Sequence, residues 1–406
     1  MPSDLTAAAA IVKVGYGDIH EQLDPYIAAL QNVERGSKHI NMANNEVQFA
    51  AHMQRSQGVG ARLEYDLLPT AGANKDARAS IYLKYQYGRI QGTGQVFAQV
   101  GSNLTGFVDW MGREISSITD TLKRDLNREI YGDGTGTMAT LTATATTATV
   151  ITVDDPHFVE PGMYVDVLTA ATLGNPTPTK GNTAPMLVVT TDPVALTITL
   201  SGGTVSAAIG SAVVRTDSVN GVNNWKREWE GLGLITNAAS TYSNLAPGTW
   251  PRWVPGYTAS SVGTLSELTL THLAQGIHQQ GGKLTDLLTT YGVLNAYWNT
   301  LQGKRQFTGD GSNKMVGGMQ APVFMSIFGD IPITPDWAAP KGTIYGLDKD
   351  EMYIHQIDDW NWMERTGTMW QQVPNTDAFS ATIFQYSNIG VFRRNGFGKL
   401  SGITEL

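Results

Sequence analysis

The 406-residue sequence contains no cysteine. That absence excludes disulfide staples, thiolate metal sites and cysteine nucleophiles, so mechanical strength must come from burial. Charge is also scarce, with Asp, Glu, Lys and Arg making up 16% of residues against roughly 25% in average soluble domains. Little of the surface is held apart by charge, which favours association. Cations are the scarcer sign, 28 Lys and Arg against 36 Asp and Glu, for a net charge of −8. A protein that coats nucleic acid by displacing counterions needs the reverse balance. No segment approaches the ~20 apolar residues that cross a bilayer. The apolar stretch Ala7 to Val12 follows Asp4 and ends at Lys13, so it lacks the basic leader of a signal peptide. The expectation is a soluble chain that is not exported by the usual route and has no membrane partner.

Catalytic motifs are missing as well. There is no phosphate-binding loop ending in Lys-Ser or Lys-Thr and no Gly-x-Ser-x-Gly elbow. The run Gly132-Asp133-Gly134-Thr135-Gly136 follows a helical pattern rather than opening one, so helix-start amides cannot point at an anion there, and it reads as a turn. Gly309-Asp310-Gly311-Ser312-Asn313 lacks the spaced carboxylates and closing Glu of a calcium loop. The seven histidines are scattered, with no His-Glu-x-x-His spacing. No catalytic, metal or cofactor residue is assigned, and no cofactor is expected. One cluster keeps an enzymatic reading open: Asp348, Asp350, Glu351, Asp358, Asp359 and Glu364 interleave with His355, Trp360, Trp362 and Trp370. Carboxylate pairs beside tryptophans are what a glycoside hydrolase uses to protonate a leaving group and stack a sugar ring.

What is present divides the chain. Its length implies two or three domains. Asp24-Pro25 starts a short helix that Gly36 stops, with Tyr26, Leu30 and Val33 on one face. Extended flanks around Ile40 to Ala50 and Ile81 to Ile90 then suggest a long open hairpin across Ser37 to Gln95. A lone hairpin is marginal in water, and this one is expected to lie on a surface other than its own domain. It holds seven basic and four acidic residues, whereas Ala321 to Asp377 holds nine acidic and three basic. Complementary patches of this kind favour contact between copies, although ordinary solvated charge gives the same count. Lys38, Arg62, Arg78, Lys84 and Arg89 are the hairpin candidates, with Asp348, Asp350, Asp358 and Asp359 as acidic counterparts.

Asn103 to Tyr131 is the most regular segment. Phe107, Met111, Ile115, Ile118, Leu122, Leu126 and Ile130 recur at three- and four-residue steps, an unbroken apolar stripe on one long helix. From Thr137 to Thr216, β-branched runs alternate with turns at Asp155-Pro156, Pro161-Gly162, Asp192-Pro193 and Ser201-Gly202-Gly203, so this stretch reads as an inserted all-β sandwich or barrel. Its Thr/Ala-rich start also suits a flexible linker. After Asn220 the pattern is mixed: a helix capped by Thr264 and Glu267 through Leu265, Leu268 and Ile277, a second near Val293 to Leu301, and strands at Leu284 to Thr289, Val323 to Phe328, Thr343 to Leu347, Met352 to Ile357 and Ala381 to Phe392.

The order of parts resembles the major capsid proteins of tailed double-stranded-DNA bacteriophages. The residues that carry the resemblance are Gly60-Ala61-Arg62 and Leu68-Pro69 in the hairpin, the helix end Asp125-Leu126-Asn127-Arg128-Glu129-Ile130-Tyr131 with its glycine-rich turn, and the closing Tyr386-Ser387-Asn388-Ile389-Gly390-Val391. The resemblance implies an α+β fold of the Hong Kong 97 type: an N-terminal arm (1–36), an extended loop (37–95), a peripheral domain with the spine helix (96–136 and 375–406), an axial domain (217–374) and an inserted β-rich subdomain (137–216). It implies pentamers and hexamers in an icosahedral shell that encloses double-stranded DNA without sequence-specific binding, assembled in the bacterial host cytoplasm and ending in the virion, with portal and scaffolding proteins as partners and a decoration protein left open. Relatives with a built-in scaffold have a long N-terminal extension, whereas about 36 residues precede the hairpin here, so the expectation is that scaffolding would come from elsewhere. Lys75 is a candidate cross-link donor, but no Asn acceptor can be placed, and non-covalent locking is favoured. An encapsulin-like compartment is the alternative of the same fold, and a carbohydrate-active enzyme the alternative of a different class.

Overall fold

The computed structural model describes residues 27–30, 33–37, 40–41, 45–95, 104–302, 323–364 and 368–406, with side chains except at 28, 40–41, 104–111, 302 and 359. The chain forms two compact units, Met1–Asn127 with Leu232–Leu406, and Arg128–Gly231.

The first unit holds two large sheets and a three-stranded one, Ile40–Asn41, Glu46–Gln54 and Lys75–Tyr82. In one large sheet, the 14-residue strand Ala378–Val391 is the centre, because its alternating apolar residues can be covered on both sides. It pairs antiparallel with Lys84–Thr93 along ten residues and with Met352–Trp362, and short strands at Glu34–Gly36 and Gln371–Gln372 extend the sheet. The helix Leu104–Tyr131 supplies Ile115, Ile118 and Leu122 to a core with Ile90, Trp360, Trp362, Met369, Trp370, Ala381 and Ile383. Gly88 lets the helix approach, since a Cβ there would lie 2.9 Å from Ile118 Cδ1. Leu126 and Ile130 are buried, while the side chains of Phe107 and Met111 lie outside the described residues. The other large sheet has six strands in the order Tyr257–Ala259, Gly398–Leu400, Ile344–Leu347, Asp286–Thr289, Gly329–Pro335, Val323–Ser326. Helices Glu267–Gln279 and Tyr291–Gln302 bury Leu270, Leu273, Ile277, Val293, Leu294 and Tyr297 in the core it shares with Leu287, Ile331, Ile333 and Ile344.

Two local expectations are corrected. The helix Glu267–Gln279 is capped by Ser266, whose side chain accepts from Thr269 N, rather than by Thr264, and Leu268 is exposed. Ser266 is the residue with extended backbone immediately before the first turn, where a side-chain oxygen meets the free amides. The expected helix up to Gly36 is, in its described part, a single 3-10 turn at Ala28–Leu30 followed by the strand Glu34–Gly36, which finds a parallel partner at Tyr353–His355. The residues 24–26 that would start it lie outside the described part.

The second unit is a closed six-stranded barrel. Its strands run in the order Thr137–Thr140, Ala212–Arg215, Tyr164–Leu168, Met186–Asp192, Thr197–Ser201, Val150–Thr152, and a bridge between Leu141 and Val153 joins the last to the first. The Thr/Ala-rich run is therefore strand rather than linker, because Met138, Leu141, Ile151 and Val153 point into a core with Val165, Val167, Val188, Ile198 and Val213. Closure removes the sheet edges that would otherwise pair with other chains.

The helix end is fastened to the return segment of this unit, and that explains the motif at 127–136. Arg128 donates two hydrogen bonds to Glu228, at 2.8 and 2.7 Å, and both side chains are buried. The Glu129 carboxylate accepts from Trp229 N. Gly136, at φ +80°, passes so close to Asn224 that a Cβ would be 2.6 Å from its carbonyl oxygen. Replacing Arg128 by Met leaves Glu228 buried without its cation, which costs about 3 kcal/mol, whereas the paired Arg128→Met, Glu228→Leu exchange should cost far less. Denaturant melts of the two single variants and the double variant measure that difference.

Candidate functional site

Glu46–Gln54 and Lys75–Tyr82 pair antiparallel from Glu46↔Tyr82 to Gln54↔Lys75. The alternation buries Val47, Ala51, Met53, Ala77, Ala79 and Ile81 on one face. Contrary to the expectation from sequence, that face lies on the protein's own body: Phe49 packs edge-on against Phe392 at 5.2 Å and beside Trp253, and Ser80 N donates to Ser243 O at 2.9 Å. The hairpin is also shorter than expected. Lys84–Thr93 leaves it to pair with Ala378–Val391, so Lys84 and Arg89 sit on the body sheet, where Arg89 donates to Ser380 Oγ at 3.3 Å.

What projects is the loop 55–74. Its contacts are internal: Ser56 Oγ donates to Gly72 O, Arg62 Nε to Leu67 O at 2.9 Å, and Leu63 N to Asp66 Oδ2 at 3.0 Å. Val59, Leu63, Tyr65, Leu67 and Leu68 are between 80% and 99% exposed. Five large apolar side chains left exposed on one loop are the kind of feature that marks an interaction surface.

The charged candidates are mostly engaged within the chain. Arg62 serves its own loop, and Arg78 pairs with the buried Glu46 at 2.9 Å. Asp350 pairs with Lys283 at 2.8 Å, a contact that raises the lysine's pKa. Asp348 is buried, not surface-displayed, and accepts from Lys283 N at 3.3 Å. Asp358 is exposed on its strand opposite Tyr386. Lys38 and the side chain of Asp359 lie outside the described residues. Arg62, Arg78, Asp348 and Asp350 thus have partners other than those named for them from sequence. Trp360, Trp362 and Trp370 are core residues, which removes the stacking platform that a sugar-cleaving reading needs.

Burial pushes the Asp348 carboxyl pKa up, and Glu351 and Asp350 push it the same way, against the hydrogen bond from Lys283 N. The folded chain then binds a proton that the unfolded chain releases, so this contribution to stability is present at acid pH and is lost as pH rises through the folded-state value. Asp348→Asn should raise Tm at pH 7, with a gain that shrinks towards pH 4; melts across that range check it.

Among solved structures, a chain of the capsid asymmetric unit of cyanophage A-1(L) matches with a TM-score of 0.54 at 14% identity, covering 91% of this chain and 91% of that one. The chain has the Hong Kong 97-type capsid fold. This is the fold of tailed-phage major capsid proteins. Weaker similarities are to the capsid of a native GTA particle (TM-score 0.48, 10% identity, 92% and 89% covered) and to the SrpI encapsulin of Synechococcus elongatus PCC 7942 (0.44, 7%, 93% and 88%). No protein-family model and no curated protein matches the chain.

Sequence reasoning misses the apolar character of the loop as its main asset and concentrates on charge. The signal is there in Leu63, Tyr65, Leu67 and Leu68, four large apolar residues within six positions between glycine-rich ends.

Proposed function

We propose that this chain is a coat subunit, assembling as pentamers and hexamers into the icosahedral head around the double-stranded DNA of a tailed phage. Its work is burial of interface area, not chemistry. The observation that carries the reading is the loop 55–74, which exposes five large apolar side chains on a fold otherwise seen in a capsid. Such a loop is costly for a monomer and useful for a subunit that meets its own copies. The net charge of −8 suits a container, because like charge keeps packaged DNA off the wall. In this reading the arm (1–36) and extended loop (37–95) reach neighbours, the peripheral parts (96–136 and 375–406) and axial part (217–374) form the shell, and the insertion (137–216) is an added module. Portal and scaffolding proteins act with it during assembly in the host cytoplasm.

Negative-stain microscopy of the purified protein, followed by nuclease treatment and extraction, tests this. Closed shells with nuclease-protected DNA from phage-producing cells are the expected result. Shells filled with protein cargo would mark a compartment instead, and a chain that stays monomeric at every concentration would reject both.

A further inference from the structure

In the barrel strand Tyr164–Leu168, Val165 and Val167 enter the core, so Asp166 and Leu168 face the other way. Leu168 joins Ala212, Val214 and Trp225 in a small second core. Asp166, opposite Val214 in the ladder, shares that side and is fully buried. A carboxylate in such a place must be matched by charge and hydrogen bonds. Lys180 Nζ stands 2.5 Å from its Oδ2, Asn223 Nδ2 donates to the same oxygen at 3.4 Å, and Asn182 Nδ2 donates to Oδ1 at 2.9 Å. The backbone places the lysine: Lys180 forms a bridge with Leu168, two residues along from Asp166, and its Nζ also donates to Gly221 O at 2.9 Å, two residues before Asn223. The amide of Asn223 is held too, because its Oδ1 accepts from Trp225 N at 3.3 Å. An amine and an amide therefore meet on one carboxylate oxygen, and a main-chain N–H already donates to the amide's carbonyl oxygen. Nucleophile, base, electrophile and a donor for developing negative charge are the parts that acyl transfer needs.

We propose that the barrel staples itself by an isopeptide bond between Lys180 Nζ and Asn223 Cγ, with Asp166 as the base. Asp166 takes one proton from the Lys180 ammonium, and the free amine adds to Asn223 Cγ while the Trp225 N–H holds the oxygen that gains charge. Asp166 then passes its proton to Nδ2, the bond from Cγ to Nδ2 breaks, and ammonia leaves. The second proton that Nζ sheds turns this ammonia into an ammonium ion. In sum, an ammonium group and a primary amide become a secondary amide and an ammonium ion, Asp166 ends as it began, and no oxidant or co-reactant is consumed. Asn182 is the less suited acceptor. Its Oδ1 accepts from Val167 N at 2.8 Å and its Nδ2 donates to Ala184 O at 2.7 Å as well as to Asp166, so it steadies the base. The bond closes a covalent ring from Lys180 to Asn223 that ties the segment entering the strand Met186–Asp192 to the one leaving Ala212–Arg215. In a chain without cysteine it supplies what a disulfide gives elsewhere, by the same restriction of the unfolded state. It lies within one chain and does not depend on the coat-subunit reading.

Mass spectrometry of the full-length protein, purified folded and then denatured, tests this. The chain should be lighter than its sequence by one ammonia, and a tryptic digest should leave Lys180 uncut in a branched peptide that also contains Asn223. Lys180→Arg, which keeps a cation beside Asp166, and Asn223→Ala should each restore the sequence mass. The unmodified chain is decisive even where a variant folds poorly: its full sequence mass, with cleavage after Lys180, would overturn the proposal. An ammonia loss that survives Lys180→Arg would overturn it as well, since it would belong to succinimide closure at Asn220-Gly221 or Asn395-Gly396. Shell formation is no part of the readout, so failure here leaves the coat-subunit reading standing.

Discussion

Excising residues 59–71 and joining Gly58 directly to Gly72 should leave a folded subunit that no longer closes into shells. The junction is close at hand, since a Cβ on Gly58 would lie 2.9 Å from Gly72 N and Ser56 Oγ already donates to Gly72 O. Nothing in the core depends on the loop: the buried face of the hairpin runs from Val47 to Met53 and from Ala77 to Ile81, and the five exposed apolar residues contribute little burial within the monomer. Tm should therefore stay within about 2 °C of the parent. Assembly is another matter. Each of those side chains is worth about 1.5–3 kcal/mol when fully buried, so a copy loses on the order of 5 kcal/mol of contact after the cost of ordering the loop is subtracted. A deficit of that size in every copy should lower particle yield by at least about a hundredfold, as counted by gradient sedimentation and microscopy. Parental yields from the excised chain would show the loop to be dispensable and remove the observation on which the functional reading stands.

The parts legible in the sequence are those whose pattern is local. The stripe from Ile115 through Leu126 needs only the helical period, and the barrel's strands need only β-branched runs between turns. The hairpin is misread at a single residue. Ala77, Ala79, Ile81 and Leu83 point inward, and the sequence continues the same odd phase with Tyr85 and Tyr87, so one unbroken flank is the natural reading. In the structure the phase reverses after Leu83: Gly88 and Ile90 are buried and the two tyrosines face out. Periodicity cannot tell an inward aromatic from an outward one. Charge is harder still, because a count of acids and bases does not say which are already engaged. Asp350 with Lys283, Glu46 with Arg78 and the burial of Asp348 are long-range facts that only the fold supplies. The tryptophans beside the acidic cluster mislead for the same reason, since their burial depends on Ile115 and Ile383, remote in sequence.

The same long-range logic gives the largest expected effect on stability, at Arg394. Its guanidinium is fully buried, with no carboxylate hydrogen-bonded to it among the described residues; instead it donates to five main-chain carbonyls: Ile235 at 2.8 Å, Leu234 at 3.1 Å, Trp253 at 2.9 Å, Ser240 at 3.2 Å, and Asn237. Two of these end the short helix Leu232–Ile235, whose last carbonyls have no helical partner, and the cation also lies 5.5 Å from the Tyr242 ring. Only arginine offers five donors in a fixed fork; a lysine offers three on a different stem. Arg394→Lys should cost about 3 kcal/mol, and Arg394→Ala, which strands all five acceptors in a dry site, on the order of 5 kcal/mol or more, enough to unfold the subunit before any assembly step. The neighbouring Arg393, exposed and 3.6 Å from Glu351, is the control, with an expected cost under about 0.5 kcal/mol on substitution by Ala. Burial pulls the Arg394 pKa down to about 10, so the group is charged in folded and unfolded chains alike at neutral pH. No proton is exchanged on unfolding there, and the loss in the variants should be the same at pH 6 and pH 8. Denaturant melts at the two pH values measure both claims, and an Arg394→Ala protein as stable as its parent would mean that water reaches those carbonyls.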